Sequence, residues 1–394
     1  MKPEAAKATS GSVTTLPNGL TVVTEDACTT STVTLSFPKA GSANEMLDEQ
    51  GAALINKNLA FKSGSGMSTL LINRTIENNG GVPMVSADRY KATLGYSIVP
   101  EKAVGLIPML AIDCSMEKWD IRDAKATSAI EVEEANASAQ MVLTESLFAA
   151  AYGPQTPGGR PFYYADQSFD VIKGFRERTY GLNGAILTAT GVKDHAAFCN
   201  AAADLLSDAP AGSADTSTSM SYLGGETRIA APSAGYAHVA LAFEGPSSSV
   251  LAGVVKQLFT LSGLEVGVSG FSTPGLVGVY AGSADASSLV DSMTSVVTAT
   301  TAPELVKRAK TLAKAEALSA LDGGSQALAE FMAASVMDTG NFSGPADVAK
   351  AYDAVTDAQV QDVVSKMLKS NPSLAAVGDI GSVPYQASVA SRFS

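Results

Sequence analysis

The sequence has little of the side-chain chemistry on which most catalytic sites depend. Its 394 residues include two histidines, three cysteines and one tryptophan. The histidines, His195 and His238, lie far apart and neither follows a G-x-S-x-G turn, so a Ser/His/Asp or Cys/His site is not expected. The cysteines Cys28, Cys114 and Cys199 form no C-x-x-C pair. Their odd number and wide spacing indicate free thiols in a reducing compartment.

Basic charge and long apolar runs are also lacking. The formal net charge is −12, which excludes a nucleic-acid partner because such a partner requires a basic face. No uninterrupted run of about 18 apolar residues occurs, so the sequence predicts no transmembrane span. Hydrophobic residues nevertheless make up 46% of the chain and charged residues 17%, which is typical of a globular protein with substantial cores.

What the sequence does contain is an internal repeat with a period near two hundred residues. The alternating segment 33–42 is echoed by 239–248, and each leads into a helical pattern rich in alanine and leucine. The segment 91–98 is echoed by 275–282, again followed by helices in both copies. Alternation of apolar and polar residues is typical of half-buried strands. The repeat therefore predicts two homologous domains rather than a solenoid of short units.

The predicted fold class is α+β, with two homologous domains that each contain a mostly antiparallel sheet with helices packed on one face. The low-complexity segment 208–221 is rich in Pro, Gly, Ser and Asp, as exposed linkers are. The predicted domains are therefore 1–207 and 222–394, joined by this linker.

Individual elements follow from local patterns. Asn18-Gly19 within Thr15–Val23 predicts a hairpin, because both residues tolerate positive φ. Ser373–Asp379 has the pattern of a strand that returns to a sheet. The predicted helices cover residues 48–61, 100–113, 120–150, 248–262, 285–299 and 303–337.

The strand and loop at 33–42, followed by the helix at 50–62, resemble the start of the pitrilysin-type (M16) metallopeptidase fold. In that family the helix carries H-x-x-E-H, the inverted zinc motif. The matching positions here are Leu54, Lys57 and Asn58. Positions i, i+3 and i+4 share one face of a helix, so the geometry of a zinc site is retained while its ligands are lost. The resemblance therefore implies a non-catalytic protein with no metal.

The family's further metal-binding glutamate has its best match at Glu133, although Glu131 and Glu134 are neighbours onto which the alignment can slip. One carboxylate alone cannot hold zinc, because zinc sites take three or four protein ligands. Lys57 replaces the family's general base with the opposite charge. If the helices pack as they do in the family, we expect Lys57 to pair with Glu133.

Further segments extend the resemblance over about 360 residues. They are 15–20 (T-L-P-N-G-L), 222–228 (Y-L-G-G-E-T-R), 275–280 (G-L-V-G-V-Y) and 373–381 (S-L-A-A-V-G-D-I-G). In this order they are most similar to the core subunits of the mitochondrial cytochrome bc1 complex, respiratory complex III. The resemblance implies a peripheral scaffold on the matrix side of the inner membrane. It implies pairing with core protein 1 and other complex III subunits, and no cofactor of its own.

Three alternatives remain open from the sequence. The non-catalytic, presequence-binding subunit of the mitochondrial processing peptidase also lacks the zinc ligands, but in the family it carries a long glycine-rich loop. The corresponding segment 258–275 is short here, and it is also shorter than the same stretch in the family's core protein 2. An active M16 enzyme is opposed by the missing ligands, and an unrelated small-molecule binding module would be indicated by ligand-dependent thermal stabilisation.

Overall fold

The structure is a computed structural model that describes residues 11–64, 66–111, 115–212, 220–231, 235–299 and 302–393. Cys114 and most of the predicted linker, residues 213–219, lie outside the described residues.

The first sheet has six strands in the order β1-β2-β6-β3-β5-β4. Only β2 and β6 pair in parallel, and the other neighbours are antiparallel. The strands are β1 (Gly11–Thr15), β2 (Thr21–Glu25), β3 (Ser31–Phe37), β4 (Val82–Ala87), β5 (Ala92–Ile98) and β6 (Ile186–Ala189). The predicted hairpin joins β1 to β2. Gly19 has φ +82° at its turn, which is the conformation that the Asn-Gly pair supplies.

The second sheet has five strands in the order β7-β11-β8-β10-β9, of which only β7 and β11 pair in parallel. The strands are β7 (Gly225–Ala230), β8 (Ala237–Glu244), β9 (Ser269–Thr273), β10 (Leu276–Ser283) and β11 (Ser373–Gly378).

The two sheets have the same topology once β1 is set aside. Taking each sheet's strands in chain order, both are arranged first-fifth-second-fourth-third, with the parallel pair in the same place. The segments that echo each other in the sequence occupy equivalent strands, β3 and β8 for one pair and β5 and β10 for the other. The predicted α+β class with two related, mostly antiparallel sheets is confirmed.

Helices connect and cover these strands. They are α1 (Ala52–Asn58), α2 (Thr69–Asn78), α3 (Pro100–Ala103), α4 (Lys118–Ala137), α5 (Ala139–Tyr152), α6 (Phe169–Thr179), α7 (His195–Leu205), α8 (Ser249–Gly263), α9 (Ala286–Thr298), α10 (Pro303–Leu321), α11 (Ser325–Thr339), α12 (Pro345–Ala354), α13 (Asp357–Lys369) and α14 (Gln386–Ala390).

Several predicted helices are shorter or divided. The predicted helix at 100–113 is α3 followed by a 3₁₀ helix, Val104–Leu110, which contains Pro108. The long pattern at 120–150 divides at Ser138, whose hydroxyl accepts the backbone N–H of Met141 and so begins α5. The pattern at 303–337 divides between α10 and α11 at Gly323 and Gly324.

The chain forms two compact units, and neither is continuous in sequence. The first comprises Met1–Glu131, Phe162–Thr218 and Leu318–Asp347, and the second comprises Val132–Pro161, Ser219–Ala317 and Val348–Ser394. Helix α11 accordingly packs on β3 and β6, and helix α5 packs on β7, β8 and β11. The boundaries 1–207 and 222–394, drawn from the sequence repeat, stay a prediction.

One segment in the described part of the chain, Ser249–Val266, has the length and composition of a membrane-crossing helix although it contains Lys256 and Glu265. The core helix of a soluble protein has the same properties. Helix α8 within this segment packs on β9 and β10 and buries side chains that include Leu258 and Phe259. The absence of a transmembrane span, expected from the sequence, stays a prediction.

Candidate functional site

Helix α1 carries the three degenerate positions, and its start is fixed by a buried carboxylate. Glu45 is 3% exposed and accepts hydrogen bonds from the backbone N–H groups of Gly51, at 3.1 Å, and Ala53, at 2.8 Å. A carboxylate at a helix N-terminus satisfies otherwise unpaired donors and interacts favourably with the helix dipole. Gly51 has φ +87°, and a Cβ built on it would lie 2.3 Å from the carbonyl oxygen of Tyr164. The predicted start at residue 48 is therefore too early, since the chain turns sharply at Gly51.

Leu54 is fully buried, whereas Lys57 and Asn58 both bind one carboxylate on helix α4. The Nζ atom of Lys57 lies 2.6 Å from Oε2 of Glu131. Asn58 Nδ2 donates to Oε1 of the same glutamate at 3.1 Å and also to Oγ of Ser128 at 2.9 Å. Both oxygens of this carboxylate thus have a donor from helix α1.

The expected pairing of Lys57 with Glu133 is wrong, because the partner is Glu131. Successive residues on an α-helix are about 100° apart, so positions two residues apart face nearly opposite sides. Glu133 is exposed on helix α4, as is Glu134. Ser128 lies three residues before Glu131, on the same face of α4, and also contacts helix α1.

These residues do not fit zinc. Zinc requires deprotonated sulfur, nitrogen or oxygen ligands. Leu54 has no ligand atom, the Asn58 amide uses its Nδ2 as a donor, and the Lys57 ammonium carries the charge of a cation itself. In the described ranges, no group of three or more His, Cys, Asp or Glu side chains is placed to hold a metal ion. The arrangement is an ion pair with two accessory hydrogen bonds from Asn58, and together they join α1 to α4.

His195 begins helix α7, and both its ring nitrogens are hydrogen-bonded. Nε2 lies 2.8 Å from the hydroxyl of Thr14 and Nδ1 lies 2.8 Å from the hydroxyl of Thr24. Cys199 Sγ is 3.4 Å from Nε2. Burial raises the pKa of the Cys199 thiol and lowers the pKa of His195, the latter against an opposing effect of Asp194. Both shifts favour the neutral pair, whereas a nucleophilic cysteine requires a lowered thiol pKa.

The segment 258–275 is folded along its length. It comprises the last turns of α8, a 3₁₀ turn at Leu264–Val266, strand β9 and the start of a tight turn into β10. Val268 donates its backbone N–H to the carbonyl of Gly263 at 3.0 Å, which closes the connection between helix and strand. The glycines of this segment therefore lie in a compact connection between helix α8 and the hairpin of β9 and β10. Among these residues, all of which the structure describes, no extended glycine-rich loop is present.

The fold and the site together define a class of protein. Such a protein has an α+β fold with two related sheets, and it has a peptidase-like helix in which residues that do not bind metal stand at the metal-ligand positions. Residues 21–164 match the family model described as Insulinase (Peptidase family M16). This match confirms, over residues 21–164, the resemblance to that family inferred from the sequence.

Known proteins of similar sequence span nearly the whole chain. The mitochondrial-processing peptidase subunit alpha-2 of Dictyostelium discoideum is 26% identical over 96% of this chain and 94% of its own length. The subunit beta of Lentinula edodes is also 26% identical, over 93% of this chain and 90% of its own length. Among solved structures, complex III2 from Candida albicans with Inz-5 bound contains a chain with a TM-score of 0.80 and 19% identity. That match covers 97% of this chain and 99% of the other.

Proposed function

We propose that this chain is a non-catalytic core subunit of respiratory complex III, of the core protein 2 type. The observation that carries the proposal is the pairing of Glu131 with Lys57 and Asn58. Helix positions that bind a cation and activate water in a peptidase of this family instead carry side chains that join α1 to α4. A scaffold subunit needs this rigidity and does not need the metal.

The structural neighbour supports the same assignment. A chain of complex III2 from Candida albicans shares this fold over 97% of the present chain. At 19% sequence identity this match shows a similar fold and does not by itself show a shared function. The functional assignment therefore rests on the similar fold together with the altered site. By extension, we place the chain in mitochondria, on the matrix side of the inner membrane, beside core protein 1. Because α8 packs against its own sheet, we propose a peripheral association without a transmembrane span.

A second candidate is the presequence-binding subunit of the mitochondrial processing peptidase. It is favoured by the curated relatives, which include alpha subunits from Dictyostelium discoideum and Solanum tuberosum at 26% identity. The fold of residues 258–275 opposes it. A loop that handles varied presequences requires free backbone, whereas this segment is held by the pairing of β9 with β10. The scaffold function requires neither a metal site on the helix nor a free loop in this segment.

The decisive experiment identifies the proteins that co-purify with the chain. We expect an affinity-tagged chain, extracted from its own membranes in mild detergent, to bring down cytochrome b, cytochrome c1 and a Rieske protein. An untagged strain carried through the same purification is the control. Recovery instead of a soluble heterodimer with one zinc-bearing M16 subunit would overturn the proposal in favour of the processing peptidase. A chelator-sensitive peptidase activity of the isolated chain would overturn both.

A further inference from the structure

The first unit contains a cavity of about 490 Å³ that the site on α1 and α4 does not use. One wall is a face of helix α6 and its end, including Lys173, Arg176 and Tyr180. Other lining residues are apolar and include Phe37, Leu94 and Leu182. Small-molecule sites typically occupy about 300–1,000 Å³ and combine apolar walls with a few polar groups. This cavity has both properties.

Two lining residues have polar atoms that lack a hydrogen-bond partner. The Nη1 atom of Arg176 and the hydroxyl of Tyr180 are buried, and within the part of the chain that the structure describes no acceptor reaches either one. The guanidinium carbon of Arg176 lies 4.8 Å from the centroid of the Tyr180 ring, so the two groups are adjacent. The Tyr180 ring is in turn held against Phe37, with centroids 5.0 Å apart. Buried donors without acceptors are unfavourable and rare in folded proteins.

Among the described residues that line the cavity, no carboxylate pairs with Arg176. Lys173 and Glu177 pair with each other at 3.6 Å, and both are more than half exposed, which places them at the solvent side. Their charges cancel, so Arg176 supplies a net positive charge. Burial raises the pKa of Tyr180 to about 12, against an opposing effect of Arg176, so its hydroxyl remains a donor at neutral pH. A cation and a neutral donor side by side are suited to a carboxylate.

We propose that this cavity binds a single-chain amphipathic carboxylate, such as a short fatty acid. The carboxylate oxygens would accept hydrogen bonds from Arg176 and Tyr180, and the hydrocarbon chain would lie against Phe37, Leu94 and Leu182. The ligand satisfies both unpaired donors and removes apolar chain from water. The inference does not depend on the assembly to which the chain belongs.

The experiment titrates the purified full-length chain by calorimetry at pH 7 with octanoate, 1-octanol and acetate. Octanoate carries both the charge and the chain, while each of the others carries one of them. We expect saturable binding of one octanoate per chain, with octanol and acetate at least about tenfold weaker. No saturable octanoate binding would overturn the proposal, because water alone would then fill the cavity. Equal affinity for octanol would also overturn it, because the donors would then not contribute.

Variants locate the site. Arg176→Gln and Tyr180→Phe should each weaken octanoate binding about tenfold or more, because the first removes the positive charge and the second removes a donor to a charged acceptor. Arg122→Gln is the control, since this arginine is 80% exposed on α4 and outside the cavity. Tyr180→Phe should melt at the same or a higher temperature without ligand, because it deletes a buried hydroxyl that has no partner. Unchanged octanoate affinity in both cavity variants would refute the assignment.

Discussion

The ammonium of Lys57 and the carboxylate of Glu131 form an ion pair at 2.6 Å, between side chains that are 17% and 24% exposed. Asn58 donates to the second carboxylate oxygen at 3.1 Å. In the family pattern that this helix resembles, the same face is the place for zinc ligands. Here the polar contacts between the helices are one salt bridge and two hydrogen bonds, the second from Asn58 to Oγ of Ser128.

Breaking this pair should destabilise the protein. Glu131→Gln should lower the free energy of unfolding by about 1–3 kcal/mol, because Lys57 is left partly buried without its counter-charge. Urea denaturation followed by circular dichroism measures this loss. The double variant Lys57→Met with Glu131→Gln should lose less than the sum of the single variants, since neither charge is then left alone. Glu133→Gln is the matched control and should change stability by less than about 0.5 kcal/mol. A loss as large in Glu133→Gln would contradict the assignment.

The choice between Glu131 and its neighbours marks the limit of what the sequence predicts at this site. The lost ligands at Leu54, Lys57 and Asn58 follow directly from the motif spacing, which fixes them on one helix face. The partner on helix α4 depends on the rotation of that helix, because Glu131 and Glu134 lie near one face and Glu133 lies on nearly the opposite face. Rotation is decided by packing, including the contact of Ser128 with Asn58, which no local pattern contains.

Restoring the family's ligands should restore metal binding. The triple variant Leu54→His, Lys57→Glu, Asn58→His should bind one zinc ion per chain, with Glu131 as the remaining ligand. Dialysis followed by elemental analysis measures the zinc content. Adding Glu131→Gln should abolish binding, and adding Glu133→Gln should leave it intact. The opposite pattern would mean that α4 presents a different face. Because Leu54 is fully buried, the triple variant should also be less stable, so its folding is checked by circular dichroism.

The conformation of Gly51 predicts an unusually costly substitution. Gly51→Ala should destabilise the protein by more than about 2 kcal/mol, because the new Cβ meets the Tyr164 carbonyl oxygen and the backbone is left-handed. Gly80→Ala is the control, since Gly80 has φ +76° but nothing within 4 Å of a new Cβ. That variant should lose only about 1 kcal/mol from backbone strain. Equal losses on urea denaturation would show that the contact with Tyr164 is unimportant.

In the fold, too, the sequence predicts local elements but not the contacts between residues that are far apart in sequence. The repeated strand segments 33–42 and 239–248 predicted equivalent strands because alternation is a local property. The packing of α11 on β3 and of α5 on β11 joins residues far apart in sequence. These helices have buried faces, but a helical pattern does not specify which sheet covers it. Assigning each helix to the strands nearest in sequence would therefore have misplaced both.

The buried carboxylate of Glu25 predicts an unreactive thiol at Cys28. Burial, together with the hydrogen bond and the charge of Glu25, raises the pKa of Cys28 to about 12. Only the thiolate is nucleophilic, so at pH 8 alkylation of Cys28 by iodoacetamide should be more than about tenfold slower than that of glutathione. The alkylation rate should still be rising at about pH 10.5, because the thiolate is still forming at that pH. Site-resolved mass spectrometry measures it, and a plateau in the rate near pH 9 would contradict the raised pKa.

The environment of His195 predicts a loss of stability in mild acid. Burial lowers its pKa in the folded state, and the charge of Asp194 opposes this in part. In the unfolded chain histidine titrates near pH 6.5, so just below that pH the unfolded state binds more protons than the folded state. The contribution of His195 to stability therefore rises with pH across this window, is fully present above about pH 6.5 and is lost as the pH falls.

His195→Gln should flatten this pH dependence of stability, measured by urea denaturation between pH 5 and 7. Asp194→Asn should steepen it, because the amide still caps α7 through Ala197 but no longer favours the imidazolium. A steeper slope in His195→Gln than in the natural chain would mean that the folded state favours the charged ring instead.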